Sequence, residues 1–303
     1  MFSYSGRFIA EELLARGWEV VAIGRNPPAQ ADALASRVSF QPLLLDDESA
    51  LAGALAGCDA FFNTYWVRFE YGGATFAQAV ERSERLFRAA EAARVRRIVH
   101  LSVSNASPDS PFPYFRGKAA VEAALQSSSC SHAILRPTLI FGGRQEILVN
   151  NIAWLLRRLP LFLLPDHGRC RLQPVSVFDL ARVAADVGET GDNLVLDLAG
   201  PETFTFSEFV AEIKEAVGGH ARLVTAPNGF VSVCAQLAGR LLRDRLLTRD
   251  ELGALTSGLL TCKTATTESR FTNWLEASAA WLGTKYAHEL RRNWRGDAGR
   301  NTN

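Results

Sequence analysis

Paired cysteines, excess charge and long apolar runs are what this chain of 303 residues lacks. Its five cysteines are scattered, with no close pair and no Cys/His cluster, so neither a disulfide framework nor a metal site is indicated. A net charge of +1 gives no excess of positive charge that would indicate binding to nucleic acid. No uninterrupted apolar stretch reaches the roughly 18 residues that span a bilayer, and no cationic segment followed by an apolar one opens the chain. We therefore expect a cytoplasmic protein with neither a metal site nor a nucleic-acid partner.

A strand is also missing at the beginning of the sequence. Met1–Arg7 is typical of the second half of a glycine-rich phosphate loop, with Ser3 and Gly6 at its second and third glycine positions. Phe8–Gly17 then has the apolar spacing of a helix, and Trp18–Arg25 is a short β-rich run. Because this is a βαβ unit without its first strand, we expect the natural polypeptide to begin about ten residues earlier. The alternative is an ordinary helix N-terminus.

Strands and helices alternate through the first half of the chain. Strands are predicted at 38–45, 58–64, 97–104 and 131–137, with helices at 48–56, 75–93 and 117–125. This alternation predicts an α/β fold: a doubly wound, Rossmann-type parallel sheet, apparently without its first strand, with ligands at the carboxyl ends of the strands.

The pattern loosens beyond about Gly143. A small, mixed and mostly helical C-terminal subdomain is predicted there, in which Thr205 and Glu208 form a capping box for a helix that ends near Val217. We therefore divide the chain into a dinucleotide-binding domain over 1–145 and a substrate-side subdomain over 146–303. The second part is interleaved with the sheet near 170–200.

Candidate catalytic residues follow the strand at 97–104. Tyr114 and Lys118 are four residues apart on the next helix, so both side chains can face one cleft. A nearby ammonium lowers the pKa of a phenol, which makes the phenol a usable acid or base for hydride chemistry. With five tyrosines and four lysines in the chain, this spacing is expected by chance in roughly fewer than one such sequence in ten. The alternative is a half-buried aromatic beside a surface cation.

Three segments together resemble a known family: the Gly6 loop, Val99–Ser107 with the Tyr114/Lys118 pair, and Leu135–Gly142. They are similar to the extended and atypical short-chain dehydrogenase/reductases, the NAD-dependent epimerase/dehydratase superfamily. Within it they most resemble the branch of the nucleotide-binding accessory subunit of respiratory complex I. The resemblance implies Tyr114 as acid/base, Lys118 on the nicotinamide ribose, Asp46 near the adenine, Asn63 and Thr64 along the cofactor, and Pro137 beside the nicotinamide.

Two departures from the family pattern concern catalysis. Val103 stands where active members carry the Ser or Thr that hydrogen-bonds the substrate carbonyl, which leaves Ser102 and Ser104 as candidates one position out of register. In addition, only about ten residues separate this strand from Tyr114, fewer than active epimerases usually have. Members of the complex I branch often hold the nucleotide without turning it over.

The cofactor preference is argued from the end of the second strand of the full fold. An NAD-binding protein usually has a carboxylate there, whereas this chain has Arg25, whose guanidinium suits a 2′-phosphate. NADP(H) is therefore predicted, with NAD as the alternative and a solvated loop cation as the other interpretation of Arg25. The apolar segment 150–165 could line a pocket for a quinone-like substrate, touch a membrane surface, or pack in the core.

Two functions follow from the sequence. The first is an NAD(P)(H)-dependent oxidoreductase or epimerase that acts on a small carbonyl or alcohol. The second is a non-catalytic NADP(H)-binding module that senses redox state or stabilises a partner complex. Substrate identity, reaction direction and oligomeric state do not follow from the sequence.

Overall fold

A computed structural model describes residues 3–27 and 32–293 of the chain. Met1 and Phe2 of the predicted phosphate loop lie outside these residues. In chain order the elements up to the fifth strand are α1 (Tyr4–Ala15), β1 (Val21–Gly24), β2 (Ser39–Pro42), α2 (Glu48–Leu55), β3 (Ala60–Asn63), α3 (Phe76–Ala92), β4 (Arg97–Leu101), α4 (Pro113–Gln126) and β5 (Ser131–Pro137). They are followed by β6 (Leu139–Phe141), α5 (Leu148–Arg158), β7 (Leu161–Leu164), β8 (Arg171–Leu172), β9 (Pro174–Ser176), α6 (Val177–Gly188) and β10 (Leu194–Leu198). The last elements are β11 (Phe204–Thr205), α7 (Phe206–Ala216), β12 (Arg222–Thr225), α8 (Asn228–Leu242), α9 (Arg249–Thr256), α10 (Phe271–Ser278) and α11 (Glu289–Asn293).

The chain forms two compact units. The first comprises the described residues up to Pro137 together with Val177–Leu198, and the second comprises Thr138–Ser176 and the described residues from Ala199 onward. The domain boundary predicted from the sequence is at 145. In the structure, the chain leaves the first unit after β5 and returns to it for α6 and β10.

The first unit has the predicted doubly wound α/β fold. Its main sheet contains four strands in the order β10-β5-β4-β3, and every neighbouring pair is parallel. Helices connect successive strands, as parallel pairing requires. The fold class predicted from the alternation of strands and helices is confirmed by this topology.

The remaining two strands of this unit form a separate parallel pair, β1 with β2. In a complete doubly wound sheet, one further strand would lie between β1 and β3 and join the two sheets. No residue in 3–27 and 32–293 forms this strand. Ile23 of β1 and Phe61 of β3 nevertheless pack against the same cluster of buried side chains. Both sheets therefore belong to one hydrophobic core.

Polar side chains fix where the helices of the first unit begin. Ser3 accepts a hydrogen bond from the backbone of Gly6 at the start of α1, and Asp47 accepts one from Ala50 at the start of α2. Thr75 begins α3 with a complete capping box. These side chains satisfy backbone N–H groups that have no partner within a helix.

The core of this unit lies between the sheet and helices α2, α3 and α4. Its fully buried members include Leu51, Leu86, Ile98, Val121 and Ile134. Burying each such side chain contributes roughly 1.5–3 kcal/mol relative to leaving it in water.

The second unit has its own core of aromatic and aliphatic side chains. Phe141, Phe209 and Phe271 are each about 1% exposed, and the rings of Phe209 and Phe271 stack with centroids 4.7 Å apart. The predicted capping box of Thr205 and Glu208 is present at the start of α7, which ends at Ala216. The sequence prediction for this helix is confirmed.

Helix α5 holds the last described segment of the chain through two buried amides. Asn150 donates to the carbonyl of Lys285 at 2.9 Å and accepts from the backbone N–H of Gly283 at 3.0 Å. Asn151 bonds both backbone groups of Ala287, at 2.8 and 2.9 Å. Val149, Ile152, Ala153 and Leu156 of α5 lie in the core of the second unit. Segment 150–165 is predicted to line a quinone pocket, touch a membrane surface or pack in the core. Its helical part packs in the core.

None of the helices in the described residues is long and apolar enough to cross a membrane.

Candidate functional site

The candidate site lies at the carboxyl edge of the four-stranded sheet. Asn63 ends β3, Ser102 and Ser104 follow β4, and Pro137 ends β5. Because these strands are parallel, their carboxyl ends meet at one edge of the sheet. The backbone N–H of Ser104 donates to the carbonyl of Pro137 at 2.9 Å, so the chain remains paired beyond the end of β4.

Tyr114 and Lys118 reach the same indole ring at this edge. Both lie on α4, where residues four apart share a face. The ring of Tyr114 meets Trp66 edge to face with centroids 5.9 Å apart, and Nζ of Lys118 lies 4.6 Å from the centroid of Trp66. A Cβ on Gly117 would come within 2.9 Å of the indole, so only glycine lets the helix approach it this closely. The structure therefore brings the two predicted residues together around Trp66.

Lys118 is buried at the end of β4. Its side chain is 3% exposed, and Nζ donates to the carbonyl of Leu101 at 2.7 Å. Burial lowers the pKa of this ammonium from 10.5 to about 7, although Glu122 one turn further along α4 acts in the opposite direction. Lys118 thus changes charge close to neutral pH.

A buried histidine lies beside Lys118. The amide of Asn63 accepts from the backbone N–H of Tyr65 through Oδ1, so its Nδ2 donates to Nδ1 of His100 at 3.1 Å. The proton of the imidazole is then on Nε2, which has no hydrogen-bond partner among the described residues. Burial first, and then the charge of Lys118, hold the pKa of His100 well below its ordinary value of 6.5. This ring is therefore neutral.

Ser102 is engaged by a buried carboxylate. The Ser102 hydroxyl donates a hydrogen bond to the carboxylate of Glu122, a residue that is 3% exposed. The same carboxylate accepts a hydrogen bond from Nε of Arg136 at 3.0 Å. The hydrogen bond to Glu122 raises the pKa of the Arg136 guanidinium. The carboxylate therefore joins β4, β5 and α4, and the Ser102 hydroxyl is directed to it.

The N-terminus of α1 approaches the loop after β3. The hydroxyls of Ser3 and Thr64 lie 2.8 Å apart, and Gly6 lies in the first turn beside them. A Cβ on Gly6 would come within 2.6 Å of the Ser3 hydroxyl and 3.0 Å of the Thr64 hydroxyl. These three predicted residues therefore form a small hydroxyl-lined cradle that only a glycine leaves open.

Two predicted cofactor residues lie outside this group. Arg25 directly follows β1 and is exposed. Asp46 lies in the turn between β2 and α2, where its carboxylate is 3.1 Å from Arg85 of α3. The structure shows an ion pair at Asp46, and its predicted place near the adenine stays a prediction.

Sequence reasoning missed Trp66, Glu122 and His100. A signal existed for two of them: Glu122 is four residues after Lys118 and so shares its helix face, and Gly117 indicates that a bulky group approaches α4. No comparable signal identified His100, which the sequence presents only as one residue of an apolar strand. Within 3–27 and 32–293, no group of three or more His, Cys, Asp or Glu side chains could hold a metal ion.

The sequence of this chain is similar to those of known nucleotide-binding proteins. Residues 4–147 match the family described as NAD(P)H-binding. The chain is 24% identical, over 277 residues and 85% of its length, to NADH dehydrogenase [ubiquinone] 1 alpha subcomplex subunit 9, mitochondrial, of Arabidopsis thaliana. It is 26% identical over 162 residues, 52% of its length, to the subunit of the same name from Dictyostelium discoideum. The chain spans 68% of the first relative and 45% of the second.

A solved structure matches across most of the chain. The NADPH-dependent quinone oxidoreductase of Escherichia coli, complexed with NADPH, aligns with a TM-score of 0.71 and 22% identity over 92% of this chain and 96% of that one. Over residues 4–147 this chain matches a family described as NAD(P)H-binding, and over most of its length it shares the fold of this oxidoreductase. Its fold is that of an NAD(P)H-binding oxidoreductase.

The residues present fit an NAD(P) dinucleotide. The cradle of Ser3, Gly6 and Thr64 suits a pyrophosphate because it combines a helix N-terminus with two hydroxyl donors and no obstructing Cβ. Tyr114 and Lys118, at the carboxyl edge of the sheet, suit the nicotinamide end.

Proposed function

We propose that this protein binds NADP(H) at the carboxyl edge of its parallel sheet and exchanges hydride with a small carbonyl or alcohol substrate. The observation that carries the proposal is that Tyr114 and Lys118 surround one indole at the end of β4. When bound, NADP(H) supplies or accepts the hydride.

Tyr114 is the proton carrier in this proposal. In reduction its hydroxyl gives a proton to the substrate oxygen while the carbonyl carbon gains the hydride, and solvent returns the proton to the phenol. Lys118, one helical turn away, favours the phenolate while it is charged. Because the pKa of Lys118 is about 7, this assistance weakens as the pH rises above neutrality.

The preference for NADP(H) rests on charge at the end of β1. Arg25 follows this strand, and the only carboxylate in the sequence between β1 and β2 is Asp32. Asp32 pairs with Arg7 at 2.5 Å and accepts from the backbone N–H of Leu34 at 3.1 Å. The hydrogen bond from Arg7 lowers the pKa of Asp32. With this carboxylate engaged by Arg7, the guanidinium of Arg25 favours a 2′-phosphate over a ribose hydroxyl.

A second candidate is a non-catalytic NADP(H) module. The engagement of the Ser102 hydroxyl by Glu122 favours it, as does Val103, which is 7% exposed at the position where active relatives have Ser or Thr. In this case the nucleotide steadies the protein or a partner complex, as the names of the mitochondrial relatives suggest.

The substitution Tyr114→Phe separates the two candidates. NADPH and NADH affinities are measured by fluorescence titration, and NADPH consumption is followed with a water-soluble quinone and an aromatic aldehyde as acceptors. The oxidoreductase proposal expects tighter binding of NADPH than NADH, turnover with at least one acceptor, and a loss of about 10²-fold or more in Tyr114→Phe with unchanged NADPH affinity. Tyr71→Phe is the matched control, because Tyr71 is an exposed tyrosine. Binding of NADPH without turnover in the unsubstituted protein would instead support the module.

A further inference from the structure

Helix α8 carries an exposed apolar stripe. Phe230, Val233, Leu237 and Leu241 are 56%, 52%, 56% and 86% exposed. At about 100° per residue these positions lie within roughly 80° of the helix circumference. Scattered exposed apolar residues need no explanation, but four large ones aligned on one helix face indicate a surface that is covered in use.

The opposite face of α8 already packs against the second unit. Val231, Ser232 and Gly239 are buried, and a Cβ on Gly239 would come within 2.7 Å of the carbonyl of Asp244. The helix is therefore fixed in its orientation by folding. Its exposed stripe contributes nothing to the core that was described above.

The exposed charge of the segment from Asn228 to Arg249 is positive, and the exposed Asp250 follows it directly. Exposed arginines cluster at the C-terminal end of the helix and in the turn to α9, at positions 240, 243, 245 and 249. Between Asn228 and Arg249 the only carboxylate is Asp244. Asp244 is 7% exposed and accepts from the hydroxyl of Tyr286 at 2.8 Å and the backbone N–H of Leu290 at 3.0 Å. The accessible charge of this segment therefore has one sign.

This combination favours a lipid surface over a second copy of the chain. Whether two copies of α8 packed parallel or antiparallel, the arginines of each would find no exposed carboxylate between Asn228 and Arg249 of the other to pair with. An anionic bilayer offers apolar acyl chains to the stripe and phosphate groups to the arginines at once. A helix of 15 residues is about 22 Å long and can lie flat in the headgroup region.

We propose that α8 docks this protein on the surface of an anionic phospholipid bilayer, with Phe230, Val233, Leu237 and Leu241 entering the headgroup–acyl boundary. The arginines at its C-terminal end contact the lipid phosphates. This docking does not depend on the proposed function, because all of its residues belong to the second unit, whereas the residues of the candidate site belong to the first.

Vesicle co-sedimentation tests the proposal. The purified full chain is mixed with vesicles of phosphatidylcholine alone, or of phosphatidylcholine with about 30% phosphatidylglycerol. We expect binding to the anionic vesicles, little binding to the neutral ones, and weaker binding as salt is raised.

Two double variants separate the apolar and electrostatic contributions. Leu237→Gln with Leu241→Gln should weaken binding by about tenfold or more, because each side chain loses about 1 kcal/mol of apolar burial. Arg240→Gln with Arg249→Gln should weaken it by about 30-fold, at about 1 kcal/mol per arginine. Val195→Gln, which changes an exposed apolar residue on β10, should leave binding unchanged. All five substitutions are at exposed positions, and circular dichroism verifies that the variants fold.

Three results would overturn the proposal. One is no binding of the folded protein to the anionic vesicles. Another is binding that survives the leucine substitutions. The third is a dimer in sedimentation velocity that the same leucine substitutions dissociate, which would assign the stripe to a second copy of the chain.

Discussion

Burial of Lys118 should make the protein more stable as the pH rises above neutrality. In the folded protein its pKa is about 7, against 10.5 for an unburied lysine. Between these values the unfolded chain holds a proton that the folded protein has released, so the free energy of unfolding increases with pH across this window. Below the folded pKa both states carry the charge, and the full cost of burying the ammonium remains. At about 1.4 kcal/mol per pKa unit, the gain from about pH 7 to about pH 9 is about 2 kcal/mol.

Lys118→Met removes the titrating group and keeps an unbranched side chain of similar length. Urea unfolding of both proteins across this pH range gives the difference in unfolding free energy, in which the other titrating groups cancel. We expect the wild-type protein to gain about 2 kcal/mol on the variant between about pH 7 and pH 9. Lys263→Met is the control: Lys263 is exposed, so its removal should give a difference that does not change with pH.

Lys118→Arg extends the test. A guanidinium does not release its proton in this range, so this variant should be destabilised without the gain at higher pH. A difference between wild type and Lys118→Met that stays flat, or that falls as the pH rises, would refute the reasoning. Lys118 would then remain charged in the folded protein, held by Glu122 or by solvent.

Two further substitutions test the phosphate cradle and the buried carboxylate. Gly6→Ala places a Cβ within 2.6 Å of the Ser3 hydroxyl and 3.0 Å of the Thr64 hydroxyl, so NADPH affinity should fall by about tenfold or more in a fluorescence titration. The unfolding free energy should change by less than about 1 kcal/mol, and an unchanged NADPH affinity would remove the cradle from the site. Arg136→Ala leaves the Glu122 carboxylate buried without its guanidinium, which should cost about 3 kcal/mol in urea unfolding. If Glu122→Gln combined with Arg136→Ala is no more stable than Arg136→Ala alone, an unpaired charge is not the cause.

The parallel sheet could be predicted from the sequence because each of its strands has a recognisable local pattern of apolar residues. The strand predicted at 131–137 is β5 as observed, and the spacing of Tyr114 and Lys118 correctly indicated a shared helix face. Both signals depend on residues close in sequence. The strand predicted at 38–45 is shorter: β2 ends at Pro42, which pairs with Gly24, the last residue of β1.

The rest of the site depends on contacts between distant segments, which local patterns do not encode. Trp66 follows β3 and meets α4 across about fifty residues of chain, and Arg136 reaches Glu122 from another strand. The sequence suggested Ser102 as a substrate contact because of its position, and could not show that its hydroxyl is directed to Glu122. Similarly, helices α5 and α8 are both apolar in sequence, and only the structure shows that one face of α5 packs in the core while α8 exposes four large apolar side chains.

The hydrogen bonds of Asn150 and Asn151 couple the stability of helix α5 to that of the backbone at 283–287, more than a hundred residues further along the chain. Both asparagines are buried, at 7% and 8% exposed, so their amides take their hydrogen-bond partners from the backbone around 283–287, and that backbone takes partners from them. Loss of either asparagine would leave unsatisfied polar groups on both sides of the joint. The last described segment therefore shares the cooperativity of α5, and it should behave as one unfolding unit with that helix instead of fraying as an independent tail.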